Sequence, residues 1–281
     1  MSPASSLDLA RRLETAETLI EADALESWLR AHPDSGGRVV RQGHARVMHG
    51  ARPDDITRVW GLGLDGPPEI DLLDDAIAEA RRRDDRKVTF EWNPYAHTDL
   101  FRVMEERGFQ IQEFTNCYVR DPAHQPDPPA RPLAATLRIE PIDLDDTPFI
   151  EVCAQAWGHG ILGRPAPDWL VQVARQAIAQ PCRASFAALE GGRVVGVGTV
   201  AQLDGVAFYG IASTIPSHRG LGIQSHLLHA RTRNVRQTGA DIETIGSDPG
   251  TVSQRNVERA GFRCIYTKQI VKKVLRAKRD E

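Results

Sequence analysis

The residues best suited to chemistry stand in the segment 215–228, which reads IPSHRGLGIQSHLL. Two glycines, Gly220 and Gly222, separate a β-rich run from an apolar-periodic run, which predicts a strand, a tight turn and a helix. The first turn of a helix has unpaired N–H groups and the positive end of the helix dipole, and both attract anions. Arg219 adds a planar, permanently charged group that suits phosphate. The segment therefore predicts a phosphate site, although an ordinary strand-to-helix connection is compatible with the same glycines.

A second segment, residues 253–262 (SQRNVERAGF), follows the first after a predicted helix and strand. The two segments in this order resemble the GNAT superfamily of N-acetyltransferases, and the resemblance extends over residues 137–273. In that family the loop wraps the pyrophosphate of acetyl-coenzyme A. The resemblance implies a coenzyme site made of Ser213, Thr214, Ile215, His218, Arg219, Gly220, Leu221, Gly222, Ile223, Gln224, Ser225 and Asn256. Gln224 departs from the family pattern, which has Gly or Ala at that position.

The catalytic acid departs from the family pattern as well. The family often protonates the leaving thiolate with a Tyr four residues before the Gly of the Gly-Phe pair, but Val257 stands at that position. Tyr209 and Ser253 are the candidate replacements, and Tyr266, Ser247 or a water molecule are alternatives. Packing or capping is the preferred explanation for each of these side chains. Ser253, for example, is predicted to be the N-cap of a short helix.

Trp157 and His159 lie where the acceptor loop of the family falls, so the resemblance implies that they contact the acceptor, a small-molecule or peptide amine. No residue identifies that amine. A protein of another class is compatible with the same motifs, namely a sensor or scaffold that binds an acyl-coenzyme A without turnover. The missing Tyr and the presence of Gln224 favour this alternative, and a preference for longer acyl chains is a third possibility.

The N-terminal half repeats the order of the C-terminal half at an offset of 153 residues, which lays Gly108 on Gly261. In this register Gly66 stands at the place of Arg219, two prolines follow it, and Glu69 stands at the place of Gly222. The prolines have no N–H group to donate, and the glutamate brings a negative charge. The N-terminal copy is therefore predicted to have lost the coenzyme site.

Five prolines between residues 121 and 132 predict an extended linker without a packed core of its own. The predicted order is a degenerate GNAT-like domain over 1–122, the linker over 123–134, a coenzyme-binding domain over 135–276 and a charged tail over 277–281. The predicted fold class is α/β (α+β), with a mixed, mostly antiparallel sheet and helices on both faces in each domain.

Hydrophobic periodicity and turn residues predict the individual elements. In the N-terminal half they predict helices at 7–30, 69–83 and 98–107, and strands at 43–48, 56–64, 88–92 and 110–120. In the C-terminal half they predict helices at 147–157, 167–180, 223–238 and 252–259, and strands at 137–142, 185–189, 194–201, 206–215, 241–245 and up to 274.

Residues 61–66 (GLGLDG) also fit a dinucleotide-binding fingerprint, with Glu91 at the end of the next predicted strand. Such a motif normally opens its domain, whereas about sixty residues precede it here. The repeat already accounts for this segment, so we assign it to the degenerate copy.

The composition is that of a soluble globular protein, with 41% hydrophobic residues and a net charge of −3 over 281 residues. It predicts no nucleic-acid surface, which would be strongly basic. Apolar runs fall short of the about 18 residues that span a bilayer, and no signal-peptide core is present, so a cytoplasmic location without membrane contact is expected. The four cysteines are isolated and predict neither a zinc site nor disulfides. We expect a monomer or homodimer without metal, with acetyl-coenzyme A as co-substrate.

Overall fold

The computed structural model of the protein describes residues 6–50, 56–128, 132–142, 150–152, 171, 175, 180 and 182–275. The chain forms two compact units, one of Met1–Asn116 together with Tyr266–Glu281 and the other of Cys117–Ile265. Two strands, Gln110–Arg120 and Arg263–Val274, therefore contribute residues to both units.

The helices of the described residues are α1 (Ser6–Ala31), α2 (Ile70–Arg82), α3 (Asp99–Glu106), α4 (Ile223–Thr238) and α5 (Val252–Arg259). The strands are β1 (Arg38–Gln42), β2 (Ala45–His49), β3 (Ile56–Trp60), β4 (Lys87–Trp92), β5 (Gln110–Arg120), β6 (Leu137–Pro141), β7 (Arg183–Glu190), β8 (Arg193–Leu203), β9 (Val206–Thr214), β10 (Ile242–Ser247) and β11 (Arg263–Val274). Residues 150–152, 171 and 175 are helical, and the rest of the helices predicted at 147–157 and 167–180 lies outside the described residues.

In the first unit, neighbouring strands follow the order β1-β2-β3-β4-β11-β5. The β3–β4 pair is parallel, whereas β1–β2, β2–β3 and β4–β11 are antiparallel. Helix α2 connects β3 to β4 along the chain. It buries Leu73, Ile77 and Ala80, which recur at helical spacing, against a core that contains Phe90 and Leu100. The predicted mixed sheet is confirmed.

In the second unit, neighbouring strands follow the order β5-β10-β9-β8-β7-β6. The pairs from β6 to β9 are antiparallel, and β9–β10 is parallel. Helix α4 buries Leu227, Leu228 and Val235 on a cluster that contains Tyr209 and Val200. None of the helices among the described residues is long and apolar enough to cross a membrane.

The offset of 153 residues recurs in the element boundaries. Helices α2 and α4 begin at Ile70 and Ile223, α3 and α5 begin at Asp99 and Val252, and β5 and β11 begin at Gln110 and Arg263. In each unit the first of these helices connects the two strands of a parallel pair, β3 and β4 for α2 and β9 and β10 for α4.

The structure corrects two strand boundaries. The strand predicted at 43–48 begins only at Ala45, because Gly43, with a φ of +56°, lies in the turn between β1 and β2. Strand β1 itself was not predicted from the sequence. The strand predicted at 56–64 ends at Trp60, because Gly61 turns the chain with a φ of +73° and a Cβ there would collide with the His44 carbonyl oxygen. Close packing thus explains this glycine without a nucleotide.

Residues 121–128, predicted as an extended linker, pack against α4 in the second unit. Arg236 donates from Nε to the Pro122 carbonyl oxygen at 2.8 Å and forms an ion pair with Asp127. The side chains of Pro122 and Pro128 are buried. The final predicted strands are a single strand, β11, of 12 residues.

Candidate functional site

Strands β9 and β10 run parallel and separate near their carboxyl ends. Their pairing ends at Tyr209 and Ile245, although β9 continues to Thr214 and β10 to Ser247. A β-bulge coincides with the separation, since two β9 residues, 210 and 211, face only Thr199 of β8. On its β8 side, β9 remains paired up to Thr214. The result is a strand end with backbone groups directed toward the gap.

The predicted phosphate turn follows this strand end. Pro216–His218 form one turn of 3₁₀-helix, Gly220 and Gly222 both have a φ of +83°, and α4 begins at Ile223. A residue with a Cβ is strained at such a φ, which explains both glycines. The sequence-predicted helix at 223–238 is confirmed in full.

Five consecutive backbone N–H groups in this turn, those of residues 220–224, donate to no acceptor among the described residues. The next two, of Ser225 and His226, donate to the Gly222 carbonyl oxygen at 3.1 and 3.3 Å. The exposed Arg219 side chain lies beside them and donates from Nε to the Thr214 carbonyl oxygen at 3.3 Å. A helix start with free N–H groups and an arginine suits an anion with several oxygen atoms.

The corresponding turn of the first unit is filled by the protein itself. The Glu69 carboxylate accepts a hydrogen bond from the Gly63 N–H at 3.1 Å, and Asp65 accepts one from the His44 N–H at 3.0 Å. Pro67 and Pro68 have no N–H group. The turn of the first unit thus contains carboxylates, whereas the turn of the second unit contains N–H groups that can donate to a ligand.

His218, predicted to contact the coenzyme, is bonded through both ring nitrogens to the protein. Its Nδ1 lies 2.8 Å from Ser217 Oγ and its Nε2 lies 2.9 Å from Glu190 Oε2. Thr136 donates to the other oxygen of Glu190 at 2.9 Å, and these hydrogen bonds hold the pKa of the Glu190 carboxyl below its usual value. Sequence reasoning missed Glu190, because the spacing of the residues does not show that the end of β7 lies beside this turn.

Tyr209 lies in a buried network and is only 2% exposed. Its hydroxyl donates to Glu243 at 2.6 Å and lies 2.9 Å from Thr232 Oγ1, while Glu243 also pairs with the fully buried Arg120. Burial and the Glu243 charge raise the pKa of Tyr209 well above its usual value. Tyr209 therefore stays protonated, with its proton directed to Glu243.

Arg231 connects α4 to the bulge. Its guanidinium donates to the carbonyl oxygens of Leu227 and Thr199 at 3.2 and 3.3 Å and lies 4.8 Å from the centre of the Tyr209 ring. Gly198 makes room for it, since a Cβ there would lie 3.1 Å from Nε. Burial lowers the pKa of Arg231 to about 10, so it remains a cation at neutral pH.

The other candidate residues are dispersed. Ser253 is exposed on α5 and does not cap it; Thr251 is the N-cap and accepts a hydrogen bond from the Gln254 N–H at 3.2 Å, because the helix begins one residue before Ser253. Asn256 is half-buried on the same helix.

Of the alternatives for the acid, Ser247 is buried with its hydroxyl 3.3 Å from Thr251 Oγ1. Tyr266 belongs to the first unit, where it donates to Glu14 at 2.7 Å. The predicted acceptor residues Trp157 and His159 lie outside the described residues. The part of the chain that the structure describes contains no group of three side chains able to hold a metal ion.

The fold is that of the GCN5-related N-acetyltransferases (GNAT), as the comparison with solved structures shows. A tandem GNAT protein from the clavulanic acid biosynthesis pathway matches 86% of this chain and 83% of its own, with a TM-score of 0.60 and 15% identity. A GCN5-related N-acetyltransferase from Sphaerobacter thermophilus aligns over 90% of this chain and 87% of its own chain, with a TM-score of 0.61 and 18% identity. One from Kribbella flavida aligns over 90% of this chain and 95% of its own chain, with a TM-score of 0.59 and 17% identity. No family model and no curated protein sequence matches. The predicted fold class is confirmed.

Proposed function

We propose that the second unit binds acetyl-coenzyme A through residues 219–224 and transfers its acetyl group to the amine of a small molecule or peptide. The run of five N–H groups at residues 220–224, which lie beside Arg219 and donate to no acceptor in the described part of the chain, carries this proposal. Phosphate oxygens accept hydrogen bonds from such groups, and the helix dipole adds a favourable field.

The separated end of β9 supports the same function. Its backbone is extended up to Thr214 and leads directly into the turn, so an extended chain that contains amides can pair with it while a phosphate is bound at α4. The amine then attacks the thioester carbonyl carbon, the amide bond forms, and the coenzyme thiol leaves with a proton. Placement of the two reactants contributes most of what this reaction requires.

A non-catalytic protein that binds acyl-coenzyme A is the second candidate function. The residue four positions before Gly261 is Val257, which is only 2% exposed and has no proton to give. Tyr209 is bonded in the core. Under this candidate the coenzyme binds to the same turn, and no amine is acetylated.

Calorimetric titration of acetyl-coenzyme A into the whole protein tests the binding site. We expect one site, which Gly222→Glu abolishes because it places a carboxylate where the phosphates bind. Gly250→Glu is the matched control, since Gly250 has a φ of +79° and open space around it, so it adds the same charge and similar strain elsewhere. Two sites, or one that survives Gly222→Glu, would contradict the proposal.

Release of the free thiol in the presence of a panel of amines separates the two candidate functions. Amine-dependent release that disappears in Gly222→Glu supports the transferase. Binding of one coenzyme with no release for any amine favours the sensor. Competition between acetyl- and longer acyl-coenzyme A in the same titration reports the acyl preference.

A further inference from the structure

Three side chains beside the turn form one continuous chain of hydrogen bonds. Ser217 Oγ lies 2.8 Å from His218 Nδ1, and His218 Nε2 lies 2.9 Å from Glu190 Oε2. Thr136 fixes the carboxylate from its other oxygen at 2.9 Å. A hydroxyl, an imidazole and a carboxylate in this order are the components of an activated serine nucleophile.

The direction of these hydrogen bonds follows from the chemistry of the groups. An ionised carboxylate only accepts hydrogen bonds, and the hydrogen bonds from His218 and Thr136 favour the ionised form of Glu190. The proton of the neutral imidazole is therefore on Nε2, directed to Glu190. Nδ1 then has a free electron pair and accepts the proton of the Ser217 hydroxyl. This is the tautomer in which the ring acts as a base toward serine.

The fold holds the three residues in place. Ser217 and His218 lie in the 3₁₀ turn, whose preceding residue Ile215 donates its N–H to the Val195 carbonyl oxygen at 3.0 Å. Glu190 is the last residue of β7, directly before the tight turn at residues 191–192, where both glycines have positive φ. The Ser217 side chain faces solvent, whereas the His218 side chain is only 15% exposed.

We propose that Ser217, His218 and Glu190 form a second active centre, which hydrolyses activated acyl esters and thioesters. Ser217 Oγ attacks the acyl carbonyl carbon and its proton passes to His218 Nδ1. The bond to the leaving thiolate or alkoxide breaks, and His218 returns the proton to it. Water, deprotonated by the same ring, then attacks the acyl carbon. The bond from that carbon to Ser217 Oγ breaks, His218 returns the proton to Ser217 Oγ, and a carboxylic acid leaves. The N–H groups of residues 220–224, which donate to no acceptor among the described residues, follow on the same turn and can donate to the oxyanion when no phosphate is bound there.

The test uses the whole protein with 4-nitrophenyl acetate, and then with acetyl-coenzyme A in the absence of any amine. We expect a burst of 4-nitrophenolate stoichiometric with the protein, and one acetyl group on the peptide that contains Ser217. Ser217→Ala abolishes both, and His218→Gln slows acylation by about 10²–10⁴-fold. Ser35→Ala, at a half-buried serine of the first unit, and His124→Gln, at a ring paired with Asp121 at 2.8 Å, leave the burst unchanged.

Absence of a burst in the wild-type protein, or a burst that persists in Ser217→Ala, would overturn this assignment. Acetyl-coenzyme A titration of the same samples reports the phosphate turn separately. Normal binding without a burst therefore rejects the second centre alone, and a burst without binding rejects the coenzyme site alone.

Discussion

Glu69 and Gly222 stand directly before two corresponding helices, α2 and α4, and 153 positions separate them. Glu69 directs its carboxylate into its own turn and accepts a hydrogen bond from the Gly63 N–H. Gly222 has no side chain, and the N–H groups around it donate to no acceptor within the described ranges. At this position Glu69 fills its turn with a carboxylate, whereas Gly222 places no side chain in the corresponding turn.

Replacement of Glu69 by alanine leaves the Gly63 N–H without its acceptor. We expect the free energy of unfolding to fall by about 1 kcal/mol, because this donor is partly buried. Urea denaturation measures this loss. Coenzyme stoichiometry in calorimetry should stay at one, since Pro67 and Pro68 still lack N–H groups; a second bound equivalent would contradict the assignment of the first unit as the degenerate copy.

Replacement of Arg219 by alanine removes a cation beside the unpaired N–H groups. We expect the dissociation constant of acetyl-coenzyme A to rise about 10- to 100-fold, the usual effect of one charge-assisted hydrogen bond, with less effect at high salt. Arg138→Ala is the control, since the Arg138 side chain is exposed and pairs with Glu140. Equal losses in both variants would mean that general charge, and not Arg219, attracts the coenzyme.

Replacement of Glu243 by alanine leaves Arg120 as an uncompensated buried charge. A loss of about 3–5 kcal/mol in the free energy of unfolding is expected, whereas Tyr209→Phe should cost only about 1 kcal/mol. Chemical denaturation of both variants gives these values. If Tyr209 were instead the catalytic acid, Tyr209→Phe would retain stability and lose turnover.

The buried His49 is expected to make the stability of the first unit sensitive to acid. Burial, with the charges of nearby arginines, lowers the pKa of His49 to about 4 from its ordinary 6.5. Thr57 donates its hydroxyl proton to Asp85 at 2.6 Å, so it accepts from a neutral His49 at 2.9 Å. Between these two pKa values the unfolded chain binds a proton that the folded protein excludes, so stability is complete above about pH 6.5 and falls toward pH 4.

Urea unfolding at a series of pH values tests this linkage. His49→Asn should flatten the dependence of stability on pH between 6.5 and 4, and His124→Asn, at an exposed ring, should leave it unchanged. An unaltered slope in His49→Asn would assign the acid sensitivity to other groups.

Local sequence signals predicted much of the fold. Gly222 and Gly239 mark the two ends of α4, and Gly261 marks the end of α5. All three have a positive φ, which glycine adopts without strain. Strand β1 was missed because its short, largely exposed segment shows no clear alternation.

The buried network could not be predicted from local patterns, since Arg120 and Glu243 are 123 residues apart. One signal was available: Arg231 lies four residues after Leu227 and four before Val235, on the apolar face of α4. A charge at a core position requires buried partners, but only the tertiary fold shows that they are Thr199 and the Tyr209 ring.

The division of β5 and β11 between the units has a consequence for synthesis. Strand β4 obtains its antiparallel neighbour from Gln269–Val274, after all of Cys117–Ile265 has been made. On the ribosome, residues 6–116 therefore emerge first but wait for the last strand, while the second unit has its own residues available earlier. The half of the protein that begins the chain is the last to be completed, and a fragment that ends near residue 122 would leave the edge of β4 uncovered and prone to aggregate.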